Sequence, residues 1–417
     1  MSELIITGGK ALRGIARVPG AKNAILPILA ATLLCEEELV ITNCPRYRDV
    51  RGMLEILKLL GCDVRWDDIL TINPANAHRW EMPDALAKEL RSSIFMLGPV
   101  IGRFKKAVFT YPGGCEIGQR PIDLHLKGLR SLNVQIEEDH GYILCRAHDL
   151  RGNDVHLDYP SVGATENIMM AAVYAKGVTR IYNAAREPEI EDLQAFLCAM
   201  GANIRGAGGN CIEIVGVKKL HGAQHTIIPD RIVAGTLMAG AAMTGGELFI
   251  RNIQRDHMQA VVNKFEEAGC ILSFQEDNLQ IKAPKRLKEI HLLETQPHPG
   301  FPTDMQAQMF ALCTIAEGTS VIMENVFESR FKHAPELVRM GANITIKNRM
   351  AVIRGVEALH GTRIAARDLR GCAALILAGM SAQGETILEN AELADRGYED
   401  IALMFNALGA QIDRREH

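Results

Sequence analysis

One octet pattern occurs six times in this chain and constrains its fold more than any other feature. LKLLGCDV at 57 is followed by LRSLNVQI at 129, LCAMGANI at 197, FEEAGCIL at 265, LVRMGANI at 337 and FNALGAQI at 405. The steps are 72, 68, 68, 72 and 68 residues, a period long enough for one supersecondary unit. Each copy reads as the end of an amphipathic helix, then Gly (Asn133 in the second copy), then the start of a strand. Gly and Asn suit that place because the residue past a helix C-terminus favours the left-handed conformation.

Two further anchors share the period. Segments such as AKGVTRIYN and AEGTSVIMEN end in Asn43, Asn183, Asn252, Asn325 and Asn390, while the second unit has Tyr-Pro-Gly-Gly-Cys from Tyr111 instead. Gly-x-x-x-Leu-x-Gly stands at 8–14, 216–222 and 355–361, and its first two copies are 208 residues apart, half the chain. Each unit therefore reads strand, loop, helix, strand, helix, strand–turn–strand. Six βαβαββ units in two halves of three predict two similar α/β domains with a boundary near 228–230. The chain has no G-x-G-x-x-G after a first strand, so a dinucleotide-binding sheet is not expected. The GAGGN run at 206–210 reads as a hairpin turn rather than a phosphate loop.

Composition removes several classes. With 46 Lys+Arg against 50 Asp+Glu in 417 residues, nucleic acid is not expected as the main partner. Charge-free runs such as Ala24–Cys35 fall short of the roughly 20 residues of a membrane span. The start MSELIITGGK carries an acidic residue and a three-residue apolar run, which predicts no signal peptide. Ten cysteines show no C-x-x-C and mostly lie in apolar runs, so nearly all of them read as small buried hydrophobes of a reducing cytoplasm. The scattered histidines, without H-E-x-x-H, give a metal site no support.

The repeat also says where chemistry belongs. The loop before each unit's first helix carries Lys22-Asn23, Arg91-Ser92, Ser161-Val162-Gly163, Asp230-Arg231, Thr303-Asp304 and Asp368-Leu369-Arg370. Helix N-termini present unpaired N–H groups and partial positive charge, which suits an anionic ligand. Ser and Asp also serve there as ordinary N-caps. Lys22 and Arg91 oppose the dipole, and a bound anion would account for them.

Three motifs complete the pattern. VPGAKNAILP places Lys22 and Asn23 at a strand-to-helix turn, and PHPGFPTDMQAQ places Asp304 at a helix start. In YPGGCEIGQRPIDLHLKGL, Gly113, Gly114 and Gly118 bracket Cys115 and Arg120 follows, which predicts an accessible thiol acidified by nearby cations.

Taken together, PGAKNA, GGCxIGxRPxDLHxxGL, SVGAT, AAREPEIxD, PDR, FPTDMQAQ and DRGYE resemble the UDP-N-acetylglucosamine 1-carboxyvinyltransferase family of enolpyruvyl transferases, from Gly8 to about Asp413. The resemblance implies a two-domain inverted, inside-out α/β barrel of six repeats. One domain spans 21–229 with the Cys115 loop as lid; 1–20 and 230–417 form the other. It implies transfer of the enolpyruvyl group of phosphoenolpyruvate to the 3′-hydroxyl of UDP-N-acetylglucosamine, through a tetrahedral ketal and without a cofactor. Cys115 matches the acid and Asp304 the candidate base. Lys22, Arg120 and Arg396 match the phosphate-side cations, and Arg330 and Arg370 the carboxylate side. Asn23, Arg91, Arg120, Pro121, Ile122, Asp123, Leu124, Ser161, Val162, Gly163 and Val326 match positions lining the nucleotide sugar. Departures are Ser329 for an Asn, Cys372 for a small residue, and Tyr159-Pro160 in a variable stretch near the uracil. The transferase acting on shikimate 3-phosphate shares the repeats but lacks the Gly-Gly-Cys loop. A non-catalytic nucleotide-sugar-binding relative would not need the acid, base and cations found here.

Overall fold

The computed structural model of the chain describes residues 2–82, 90–111 and 122–416. They divide into two compact units, one of residues 2–19 and 229–416, the other lying within 20–228. Both are built from the same module. Its complete form runs from the strand Asp154–His156 into the helix Val162–Ala172, the strand Val178–Tyr182, the helix Pro188–Ala199 and the hairpin Asn203–Arg205 with Cys211–Val215. Its four strands share a sheet, with Val178–Tyr182 parallel to the first strand and antiparallel to the last. The GAGGN run forms the hairpin turn, with Gly206 and Gly208 at positive φ.

Not every module is contiguous in sequence, which corrects the simple reading of the repeat. The module of helix Lys22–Ala31 takes its first strand from Gln224–Thr226, parallel to Leu39–Thr42. The module of helix Arg231–Thr244 takes Arg13–Arg17, parallel to Glu247–Arg251. The last module takes a strand from Ser2–Thr7, antiparallel between Glu385–Glu389 and Gln411–Glu416. A ladder needs a strand of the right pattern at its edge, and the backbone groups are satisfied whichever part of the chain supplies it.

Within each unit the helices fill the interior and the sheets lie outside. The first helix of a module is buried on nearly every face, as in Arg231–Thr244 and Leu369–Ser381, and its sequence is accordingly apolar all round. The second helix, such as Arg48–Leu60, carries a single apolar stripe. Strands alternate: Thr179 and Ile181 face the core while Val178 and Tyr182 face out.

The sequence anchors have structural causes. Gly61, Asn133, Gly201, Gly269, Gly341 and Gly409 all have positive φ where a helix turns into a strand. Asn43, Asn183, Asn252 and Asn390 are also left-handed, and each donates its side-chain N–H to a carbonyl past a first strand: Ile227, Leu157, Val18 and Ala366. Asn325 departs from this. There the buried Glu324 takes over the bracing, accepting from the hydroxyls of Thr295 and Thr303 and the backbone N–H of Val326 and Phe327. In the third anchor, Leu12, Leu220 and Leu359 are core residues. The leading glycines Gly8, Gly216 and Gly355 abut the carbonyls of Ala382, Ala175 and Ala316, so close that a Cβ would lie within 2.0 Å of the oxygen.

Candidate active site

In the unit of residues 2–19 and 229–416, Pro302 ends an extended segment and starts the 3-10 turn Thr303–Met305, which leads into the helix Gln306–Cys313. Asp304 sits on this turn. Its Oδ1 accepts from Nη2 of Arg330 at 2.6 Å and its Oδ2 from Nη2 of Arg370 at 2.9 Å. Arg330 also donates to the Thr303 carbonyl, and Arg370 is the second residue of the helix Leu369–Ser381. Asp368 caps that helix by accepting from the N–H groups of Arg370 and Gly371, which fixes the direction of the Arg370 side chain.

Burial is the largest effect on Asp304 and favours its neutral form. The charges of Arg370 and Arg330, with their hydrogen bonds, outweigh it and hold the carboxyl well below its usual range. Burial likewise opposes the charge of Arg370, but Asp304, then Tyr398 and Asp230, raise its pKa. Both guanidinium groups are at least nine-tenths buried. Behind them, Thr236 donates to the Ile232 carbonyl, so its oxygen accepts from the Tyr398 hydroxyl and from Nε2 of Gln308. Burial brings the His333 imidazole down to about 4, opposed by Asp368 and aided by Arg330. Val326 is held by the Glu324 carboxylate, and Arg396 ends the 3-10 turn Ala391–Arg396. Sequence reasoning missed Glu324, Tyr398 and His333; DRGYE and the Glu before Asn325 were the only local signals.

In the other unit, Lys22 opens the helix Lys22–Ala31 and its Nζ lies 2.8 Å from Asp49, itself in the first turn of Arg48–Leu60. Asp49 balances this buried ammonium, so a bound anion is not needed to account for a cation at this helix start. Asn23 follows, half-buried. Arg91 starts a 3-10 turn, Arg91–Met96, not an α-helix, so the full helix dipole does not act on it. Ile122 precedes the helix Asp123–Ser131, which begins with Asp123 and Leu124. Ser161 caps Val162–Ala172, its Oγ accepting from Ala164 N–H, with Val162 and Gly163 in the first turn. Asn167 ties His125 and the Ile94 carbonyl of the Arg91–Met96 turn to this first turn; neither Asn167 nor His125 was identified from the sequence.

Cys115, Arg120, Pro121 and the lid segment lie outside the described residues. The nine described cysteines are all free thiols; six are buried, Cys44 and Cys211 are half-buried and Cys198 is exposed, an exception to the core reading. Among the described residues no cluster of His, Cys, Asp or Glu is arranged to hold a metal ion, and no helix is long and apolar enough to cross a membrane.

Comparisons with known proteins define the class first. The enolpyruvyl transferase NikO from Streptomyces tendae matches with a TM-score of 0.90 at 24% identity over 99% of this chain and 98% of that one. EPSP synthase from Acinetobacter baumannii matches at 0.79 and 20% over the full length of both chains. At such identities these matches establish the fold: the inside-out α/β architecture of the enolpyruvyl transferases. The family model described as EPSP synthase (3-phosphoshikimate 1-carboxyvinyltransferase) covers residues 6–404. UDP-N-acetylglucosamine 1-carboxyvinyltransferase 2 of Caldanaerobacter subterraneus is 53% identical over 99% of this chain and 100% of its own. The corresponding enzyme 1 of Carboxydothermus hydrogenoformans is 49% identical over 99% and 98%. The Myxococcus xanthus enzyme is 46% identical over the full length of both. This chain belongs to the UDP-N-acetylglucosamine 1-carboxyvinyltransferases, within the EPSP synthase family.

Proposed function

We infer that this chain moves the enolpyruvyl group of phosphoenolpyruvate to the 3′-hydroxyl of UDP-N-acetylglucosamine in the cytoplasm, releasing phosphate, as the first committed step of peptidoglycan precursor synthesis. Full-length identity of 46–53% to relatives named for this transfer supports the reaction. The arrangement that carries the chemistry is the Asp304 carboxylate between two buried guanidinium groups. One carboxylate facing two cations leaves a positive charge over, which suits the carboxylate of phosphoenolpyruvate.

In the addition step Cys115 gives a proton to the methylene carbon while the sugar oxygen bonds to the adjacent carbon and Asp304 takes the hydroxyl proton. In the elimination the Cys115 thiolate takes a proton back from the methyl carbon while the Asp304 proton leaves with phosphate, which restores the vinyl group and both side chains. Lys22, Arg120 and Arg396 serve the phosphate. Asn23, Arg91, Arg120, Pro121, Ile122, Asp123, Leu124, Ser161, Val162, Gly163 and Val326 serve the nucleotide sugar. A carboxylate gripped by two guanidinium groups is a weak base. When the substrate carboxylate takes over the N–H groups of Arg330 and Arg370, Asp304 becomes a stronger one.

Phosphate release with phosphoenolpyruvate and each acceptor tests the assignment. Release with UDP-N-acetylglucosamine and none with shikimate 3-phosphate is expected. Release only with shikimate 3-phosphate, or nucleotide-sugar binding without any release, would overturn it.

A further inference from the structure

Asn167 is fully buried in the second turn of the helix Val162–Ala172, and its amide holds three segments together. Oδ1 accepts from Gly98 N–H at 2.6 Å; Nδ2 faces the Ile94 carbonyl at 3.0 Å, Nδ1 of His125 at 2.9 Å and the Gly163 carbonyl at 3.2 Å. The orientation of this amide follows from its backbone partners. Gly98 N–H only donates and the Ile94 carbonyl only accepts, so Oδ1 must face the first and Nδ2 the second. Nδ2 has two hydrogens for its three neighbours and can never accept, so the His125 Nδ1 that faces it carries no proton, and the proton of the neutral ring sits on Nε2.

The ring is 6% exposed and burial, with Arg91 nearby, brings its pKa to about 3, so it stays neutral at working pH. Its Cε1–Nε2 edge packs against the helix start: a Cβ on Gly163 would be 2.9 Å from Cε1 and 3.3 Å from Nε2. Only glycine at that position leaves room for the imidazole. Nε2 makes no hydrogen bond among the described residues. The first turn of a helix has N–H groups with no intrahelical acceptor, so a further N–H aimed there calls for an anionic oxygen.

We propose that Asn167 is a positioning residue: it fixes His125 as the Nε2–H tautomer, so that a neutral imidazole donates to a phosphate oxygen held at the start of the Val162–Ala172 helix. Resting on the function inferred above, that oxygen belongs to the diphosphate of the nucleotide sugar. Phosphoenolpyruvate also carries a phosphate, and the kinetic arms below separate the two. A neutral donor has a physical advantage at this place. It binds the anion without adding a buried cation beside the half-buried Arg91.

The test begins with the unaltered chain labelled with 15N-histidine. Its long-range proton–nitrogen spectrum should show His125 with a protonated Nε2, unchanged from pH 6 to 8. A proton on Nδ1, or titration near the ordinary histidine value, overturns the proposal even if no variant folds. Asn167→Leu keeps the size and removes the amide. It should raise the KM for UDP-N-acetylglucosamine about tenfold, the value of one hydrogen bond to a charged group. The KM for phosphoenolpyruvate and kcat should stay within about twofold. His125→Gln keeps an N–H near Nε2 and needs no tautomer, so adding Asn167→Leu to it should change the KM by less than about twofold. An equal effect of Asn167→Leu in both backgrounds means a structural role only, and a change confined to the phosphoenolpyruvate KM assigns the wrong anion; either result overturns the proposal. If the unaltered chain turns nothing over, the function fails. The tautomer and the calorimetric affinity for UDP-N-acetylglucosamine still decide the role of Asn167.

Discussion

Nη2 of Arg330 donates to Oδ1 of Asp304 at 2.6 Å, with only 3% of the Arg330 side chain exposed, and Arg370 holds the second oxygen from the other side. The carboxyl is thereby kept ionised, ready to accept a proton. Asp304→Asn preserves the shape and removes the acceptor, so turnover should fall by about 100-fold or more while nucleotide-sugar binding persists. Phosphate release and calorimetry read the two effects separately. Wild-type-like turnover would remove Asp304 from the mechanism.

The same pair has a signature in stability. The folded pKa of Asp304 lies below the ordinary 3.8, so its contribution is complete above that pH and is lost as pH falls through the folded value. Urea midpoints of wild type and Asp304→Asn should differ by a constant amount from pH 7 to 5 and converge only below 3.8. Convergence already near pH 6 would mean the carboxyl is not held by the two arginines.

Glu166 shows the opposite case. It is fully buried with no hydrogen-bond partner for either oxygen among the described residues, and burial, then the charges of Glu189 and Glu187, push its pKa well above 4.5. A raised folded pKa gives stability that is complete below 4.5 and lost as pH rises toward the folded value. Glu166→Gln should therefore gain on wild type as pH rises, by on the order of 1 kcal/mol per pH unit until that value is passed. Thermal midpoints at pH 5, 6.5 and 8 measure this; parallel lines for the two proteins would refute it.

Gly355 and Gly384 separate close approach from backbone strain. A Cβ on Gly355 would lie 1.5 Å from the Ala316 carbonyl oxygen, whereas Gly384 has open space and a φ of +88°. Gly384→Ala should cost about 1–2 kcal/mol for the left-handed conformation alone. Gly355→Ala meets no such strain but must move the Ala316 carbonyl, just past the helix Gln306–Cys313, and should lower the urea midpoint further. The reverse order would show that the loop yields without cost.

Thiol labelling tests Cys115. Burial pushes Cys44, Cys62, Cys145, Cys270 and Cys313 to about 12, so these stay unreactive at neutral pH. Among the described cysteines, Cys198 is the exposed competitor. An epoxide phosphonate such as fosfomycin should label Cys115 in preference, faster with UDP-N-acetylglucosamine present, and Cys115→Asp should escape. Peptide mass mapping after brief exposure reads the site; preferential label on Cys198 would sink the assignment.

Much of the site was legible because its residues sit at repeat positions or in local motifs. FPTDMQ announces a turn that starts a helix, and the turn is where Asp304 lies. What Asp304 touches was not legible. Arg330 and Arg370 stand 26 and 66 residues away, and nothing in their own segments says that both converge on one carboxylate. Lys22 shows the converse. Its place at a helix start was legible, but its partner Asp49, which reaches it from another helix, was not.

By itself the sequence determined the module. A helix end, a left-handed Gly or Asn and a strand start form a local unit whose backbone preferences need no distant partner, so six copies could be counted directly. Only the tertiary structure decided which strands complete which sheets. Ser2–Thr7, Arg13–Arg17 and Gln224–Thr226 have strand patterns that many edges would accept, and sequence order does not choose among them. The tautomer of His125 was decided the same way. A ring nitrogen takes its role from whatever faces it, and here that is an amide 42 residues on, turned by a glycine N–H 69 residues back along the chain from that amide. Backbone preference is local and written residue by residue; hydrogen-bond partnership and ladder pairing exist only once the chain has closed on itself.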